Sequence, residues 1–335
     1  MFDPGSDAFT LTSFDCGGLG TSSGVSFDPA TGAGSFECSY ADDSPGSVVS
    51  ATVSDNDGGI GSDSLIVVVL NVPPTVTLAG PTTADEGGTN AYSFTVADPG
   101  ADTFPASSET CGANGTLSDR IFDPATGSGS FRCTYSDASS GSVVRVTVLD
   151  DDGGSGSDSI TVTVNEVAPT VALTGPATVD EGGTGVYSFS TSDPGDDTFT
   201  LVGAGCGPNG ALANLAFNSA TGSGSFQCTF PDGPAASTVS VQVQDSDGQL
   251  SNVAAIVVAV ANVAPAVTLN GPSTTVEAQT ERFSFNVSDP GQDSFSLLLE
   301  SCGDNATVVG SSFDPATGSG DFDCTFPDGP ANSTV

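Results

Sequence analysis

The sequence contains no lysine, no histidine and no tryptophan, and only four arginines stand against 41 acidic residues. The formal charge of -37 excludes nucleic acid as a partner, because affinity there rests on cationic contacts to phosphate. It equally excludes docking on an anionic membrane surface. A chain so charged repels itself unless cations screen or bind it. Without histidine or lysine, a serine or cysteine nucleophile lacks its usual base, and there is no amine for a Schiff base. Carboxylate pairs could still serve a glycosidase, but the acidic residues recur along the whole chain, whereas a catalytic pair would stand once. The segment therefore reads as non-enzymatic. Long apolar runs are missing too: nothing approaches the roughly 20 residues a membrane span needs. No secretory signal opens the chain, and Met1-Phe2-Asp3-Pro4 enters a repeating pattern part-way through. The expectation is a window on a longer array whose export signal and anchor lie elsewhere.

What is present is repetition. Asp-Pro-Gly occurs at Asp3, Asp98, Asp193 and Asp289, in steps of 95, 95 and 96 residues, with one extra residue after Asp247. Cysteines keep the same step: Cys16 and Cys38, Cys111 and Cys133, Cys206 and Cys228, Cys302 and Cys324, each pair 22 positions apart. The predicted units are 1–71 (early part missing), 72–166, 167–262 and 263–335 (late part missing). A unit of this length is an ordinary independently folding domain. Evenly paired cysteines with no C-x-x-C and no histidine read as disulfides, which places the chain outside the cytosol. Constant spacing favours bonds within each unit over bonds between units. Each would close a loop of about 23 residues, worth about 3–4 kcal/mol.

Short segments of alternating hydrophobicity between Gly, Pro and Asp predict an all-β fold, tandem Ig-like antiparallel β-sandwich repeats of about 95 residues. Val76 and Leu78 mark a first strand, and Tyr92 and Phe94 a second. Phe104 is expected to begin a third. Phe131, Cys133 and Tyr135 alternate with Ser130, Arg132 and Thr134, so a period of two turns the second cysteine of the pair inward. Val144, Val146 and Val148 follow, then Ile160, Val162 and Val164. Phe122-Asp123-Pro124-Ala125-Thr126-Gly127 reads as a hairpin turn whose glycine supplies a positive φ.

The junction Asn71-Val72-Pro73-Pro74, Val76-Thr77-Leu78, Asp85-Glu86-Gly87-Gly88, Asp98-Pro99-Gly100 and Asp150-Asp151-Asp152-Gly153-Gly154 recur in order down the chain. In these residues the chain resembles the PKD-type and related bacterial Ig-like repeats of secreted proteins. It departs from the PKD pattern at the Trp-x-Phe-Gly-Asp-Gly segment, where Cys111-Gly112-Ala113-Asn114-Gly115 stands instead.

Two acidic loops recur. Asp-Pro-Gly-x-Asp supplies Asp98 and Asp102, then Asp193 and Asp197. Asp-x-Asp-Gly supplies Asp150 and Asp152, then Asp245 and Asp247. In an Ig topology both lie at the end where the preceding repeat joins, while Glu86, before the second strand, faces the next repeat. The expected cluster at the second junction is Glu86, Glu166, Asp193, Asp197, Asp245 and Asp247. Hard oxygen donors from a base, a linker and an upper loop suit calcium at six to eight coordination. The alternative is plain turn chemistry, since Asp-Pro-Gly and Asp-Gly form turns unaided. Sequons at Asn114, Asn286, Asn305 and Asn332 are glycosylation candidates, and the many Ser and Thr leave O-linked glycan open.

The expected role is an extracellular structural repeat protein, a filament, stalk or adhesin rod whose partners are neighbouring copies of itself. The alternative is a spacer or carbohydrate-binding region of a large secreted hydrolase.

Overall fold

A computed structural model describes residues 7–335, so Asp3 of the first Asp-Pro-Gly lies outside the described residues. Apolar side chains on alternate positions give each segment one dry face, and such faces can be buried only by pairing sheets. The chain forms two compact units, Met1–Val167 and Ala168–Val335. Among the described residues there is no helix, and so none long and apolar enough to cross a membrane.

In the first unit, residues up to 71 contribute β1 (Phe9–Asp15), β2 (Gly20–Phe27), β3 (Gly34–Tyr40), β4 (Ser44–Asp55) and β5 (Ile60–Val69). They form the sheets β1-β4-β5 and β2-β3. Next come β6 (Thr75–Ala79), β7 (Thr83–Asp85), β8 (Thr89–Ala97) and β9 (Ala106–Thr110). The same repeat continues with β10 (Gly115–Phe122), β11 (Gly129–Tyr135), β12 (Ser139–Leu149) and β13 (Ser155–Asn165). These eight make two four-stranded sheets, β6-β8-β11-β10 and β9-β12-β13-β7. All pairs are antiparallel except β13 with β7, which is parallel. One opening segment thus serves both sheets, first as β6 and then as β7. That order is an Ig-like sandwich.

The second unit repeats the plan. Its complete sandwich has β14 (Thr170–Thr174), β15 (Thr178–Asp180), β16 (Thr184–Ser192) and β17 (Thr200–Gly205). It closes with β18 (Ala211–Asn218), β19 (Ser223–Thr229), β20 (Ala235–Gln244) and β21 (Ala254–Ala261). The remaining strands, β22 (Ala266–Asn270), β23 (Gln279–Ser288), β24 (Thr307–Phe313) and β25 (Gly320–Phe326), form the single sheet β22-β23-β25-β24.

The cores are aromatic on one sheet and valine on the other. Tyr92, Phe94, Phe131, Cys133 and Tyr135 face Val144, Val146, Val148 and Val162, and all are essentially inaccessible. Tyr92 stacks on Phe131 with ring centroids 5.6 Å apart. Disulfides pin the two sheets: Cys111, just past β9, joins Cys133 of β11. Cys16–Cys38, Cys206–Cys228 and Cys302–Cys324 repeat the geometry, and none of the eight cysteines is free.

One position differs from the sequence reading. Phe104 does not begin the third strand, since β9 starts at Ala106. Its N–H bonds Pro124 O at 2.9 Å and its ring lies under Gly127, so it plugs the end of the sandwich beneath the hairpin turn.

A buried hydroxyl pair makes a test of core polarity. Tyr92 Oη donates to Pro81 O at 3.2 Å and lies 2.8 Å from Tyr135 Oη, so Tyr135 is the donor between the two rings. Tyr135→Phe leaves Tyr92 bonded and should cost under about 1 kcal/mol, as Phe230 at the matching position of the third repeat suggests. Tyr92→Phe strands the Tyr135 hydroxyl, which is 0% exposed, and should cost about 1–3 kcal/mol. Denaturant midpoints of the two variants check the order.

Candidate functional site

The acidic loops stand at one end of each sandwich. Asp98 and Asp102 follow β8, and Asp150 and Asp152 follow β12. Part of this chemistry is ordinary turn closure: Asp98 Oδ1 accepts the Gly100 N–H at 3.0 Å, and Asp150 Oδ1 accepts those of Asp152 at 3.1 Å and Gly154 at 2.6 Å. Asp150 Oδ2 accepts from Asn71 Nδ2 at 3.0 Å, tying the linker of the first repeat to the second. Turn closure accounts for one oxygen of each loop aspartate and leaves others over. Asp98 Oδ2 and both oxygens of Asp102 are shielded and receive no N–H or O–H donor.

Asp42 and Asp43, in the loop between β3 and β4, complete this end. Carboxylate oxygens of Asp42, Asp102 and Asp152 all lie within 4.8 Å of one another. Burial pushes the Asp102 carboxyl up to about 7, helped by a shared proton with Asp98 and by the charges of Asp98, Asp42 and Asp150. Burial and the neighbouring Asp43 and Asp42 raise Asp152 as well.

The second unit shows the register-equivalent assembly. Glu181, Asp289 and Asp293 bring oxygens within 4.8 Å. Asp293 is raised by burial first, then by Glu181, Asp289 and Asp232. Glu181 is 1% exposed and already does structural work. Its Oε1 accepts the N–H of Val263 at 2.6 Å and its Oε2 that of Gly233 at 2.9 Å, so it fastens the linker that leaves the third repeat. Glu86 accepts the Val167 N–H at 2.9 Å in the same way. The following glycine has a reason: Gly182 has φ +68, and a Cβ there would meet Pro290 O at 2.5 Å.

The expected residues of the second junction divide between the units. Glu86 and Glu166 belong to the first, and Asp193, Asp197, Asp245 and Asp247 to the second. Within the second, Asp193 lies close enough to Asp197 and Asp245 for their charges to add to the burial that raises it. The sequence reading missed Asp42, Asp43 and Asp232. Their signal was register alone: Asp42, Asp137, Asp232 and Asp328 keep the repeat step, but the loop around them has no fixed motif. The sequon residues Asn114 and Asn305 also share one register position with Asn209. Asn305 Nδ2 donates to Asn332 O at 3.1 Å and Asn209 Nδ2 to Asp232 O at 2.7 Å, so this amide braces the loop.

No protein-family model matches the chain, and no curated protein matches it in sequence. Solved structures resemble it distantly. The adhesin InvE of Yersinia pseudotuberculosis matches 73% of this chain and 72% of its own, at 14% identity and a TM-score of 0.29. The full ectodomain of mouse nectin-like molecule 4 matches 66% and 75%, at 16% identity and 0.27. Murine CEACAM1b matches 54% and 98%, at 10% identity and 0.20. Likeness this loose carries no functional inference. The Ig-like reading stands on strand order and on the parallel β7–β13 pair.

The raised Asp102 sets a pH dependence. An unfolded aspartate titrates near 3.9, so between there and about 7 the folded chain holds a proton that the unfolded chain has lost. Stability therefore falls as pH rises through that window. In chelator, Asp102→Asn should flatten this fall relative to the parent chain. Melting curves at about pH 4.5 and about pH 7.5 check it, and an unchanged slope would discard the assignment.

Proposed function

We propose that this chain is a stretch of an extracellular rod, a stalk or filament whose Ig-like repeats act as spacers and whose lateral or end-to-end partners are copies of itself. The observation that carries this is that each complete repeat has its own core and its own inter-sheet disulfide. Short linkers join repeats through named bonds, Asn71 to Asp150 in one unit and Gln292 N–H to Pro231 O in the other. Stability in such arrays is a sum of repeats and nearest-neighbour contacts, so length can grow without redesign. Four disulfides fit an oxidising, extracellular setting.

A sugar-binding role has less support, because the rings that would stack on sugar are used in the cores. No phenylalanine or tyrosine is among the exposed large hydrophobic side chains of the described residues. Small-angle scattering and electron microscopy of chains carrying added copies of residues 167–262 test the rod. A maximum dimension that increases by a constant step per copy supports it. A dimension that grows only as the cube root of mass would overturn it.

A further inference from the structure

Three carboxylates of the third repeat lack a partner that the protein can supply. Asp193 and Asp197 come from the loop after β16, and Asp245 from the turn after β20. Ser246 ties the two loops together: its hydroxyl donates to Asp197 Oδ1 and accepts the Thr198 N–H at 3.3 Å. Gly195 N–H bonds Asp193 Oδ1 at 2.9 Å, and Gln249 N–H bonds Asp245 Oδ1 at 2.7 Å. The second oxygen, Oδ2 in all three, is shielded and accepts nothing. Asp245 is 4% exposed and Asp197 9%.

Buried charge without a counter-charge is costly, and it is relieved by a proton or a cation. The chain has four arginines and no lysine or histidine. Among the described residues its salt bridges run to Glu109, Asp119 and Asp321, not to these loops. The counter-charge must come from solution. The register equivalents of Asp197 stand in the same kind of company, Asp102 with Asp42 and Asp152, and Asp293 with Glu181 and Asp289.

We propose that Asp193, Asp197 and Asp245 hold a divalent cation of the calcium class through their Oδ2 atoms. Hard, anionic oxygens on turn backbones, with water completing six to eight ligands, are what calcium takes. The site goes beyond the mechanical reading and does not depend on it.

The test uses the full chain, stripped with a chelator and returned to calcium or to sodium chloride of matched ionic strength. Amide exchange is read by mass spectrometry over residues 193–199 and 243–251. At calcium about ten times its dissociation constant, exchange there should slow about tenfold. Asp197→Asn and Asp245→Asn should abolish that slowing while leaving calcium's effect on the first unit intact. Asparagine keeps the Oδ1 acceptor and removes charge, so in chelator both variants should exchange no faster than the parent. Three results would each overturn the site: no slowing by calcium in the parent, slowing that survives in both variants, or variants already looser than the parent in chelator.

Discussion

Replacing Phe131 by alanine will lower the stability of the second repeat by about 3–5 kcal/mol, while the same change at Phe36 will cost less than about half of that. The two residues occupy one position in the repeat. Phe131 is 1% exposed, stacks on Tyr92 and tilts against Phe94 with centroids 6.4 Å apart. Its strand β11 lies between β8 and β10, so the cavity left by the ring has paired strands on both sides and little freedom to collapse. Phe36 sits on β3, which pairs only with β2 among the described residues. It remains half-buried, and its ring meets only Phe14, at 5.3 Å. Truncation there removes less buried surface and leaves room to relax. Exchange-protected amides in β11 and β12, followed against those in β3 and β4 of one full-length chain, give both numbers. Equal losses at the two sites would show that burial does not set the cost.

Removing the Cys111–Cys133 disulfide by the double change to alanine will cost the second repeat about 2–5 kcal/mol. Alanine at both positions separates loss of the cross-link from the burden of a buried free thiol. Cys133 is 0% exposed in the aromatic layer, and Cys111 lies past the end of β9 on the other sheet. The bond therefore ties sheet to sheet near one end of the sandwich, away from the turn that Phe104 plugs. Each repeat has its own bridge, so the loss should stay local. Calorimetry of the full chain should show one transition shifted down and the rest in place. A uniform downward shift of every transition would mean that the repeats do not unfold as separate units.

Much of this architecture is legible in one dimension because two periods coincide. The alternation of Phe131, Cys133 and Tyr135 and that of Val144, Val146 and Val148 specify inward faces, and the repeat step shows that the same faces return. Strands without such faces left no trace. β10 is exposed at six of its eight positions, with Asp119 at φ 49 and a register shift after Ser118, so no alternation survives to be read. β7 is three residues long and is defined by its parallel bond to β13, about 80 residues away. Phe104 looked like a strand residue because it is apolar and follows a turn, yet it caps the core.

The acidic ends divide in the same manner. That carboxylates recur at Asp98, Asp102, Asp150 and Asp152 is written in the sequence, and so is their excess over any internal cation. Which oxygens are used by turns and which are left over depends on backbone N–H directions that no spacing encodes. Glu181 reads as a ligand in the sequence and is a linker acceptor in three dimensions, because two backbone N–H groups from distant segments reach it first. Asp42 joins Asp102 and Asp152 only because the linker brings the end of one sandwich against the start of the next.

By itself the sequence determined the repeat, the cysteine pairs, the inward faces and the surplus of negative charge, since each follows from residue type at a fixed period. Only the tertiary structure decided which strands share a sheet, how far each equivalent phenylalanine is covered and which carboxylates meet, since those depend on contacts between segments that are far apart along the chain.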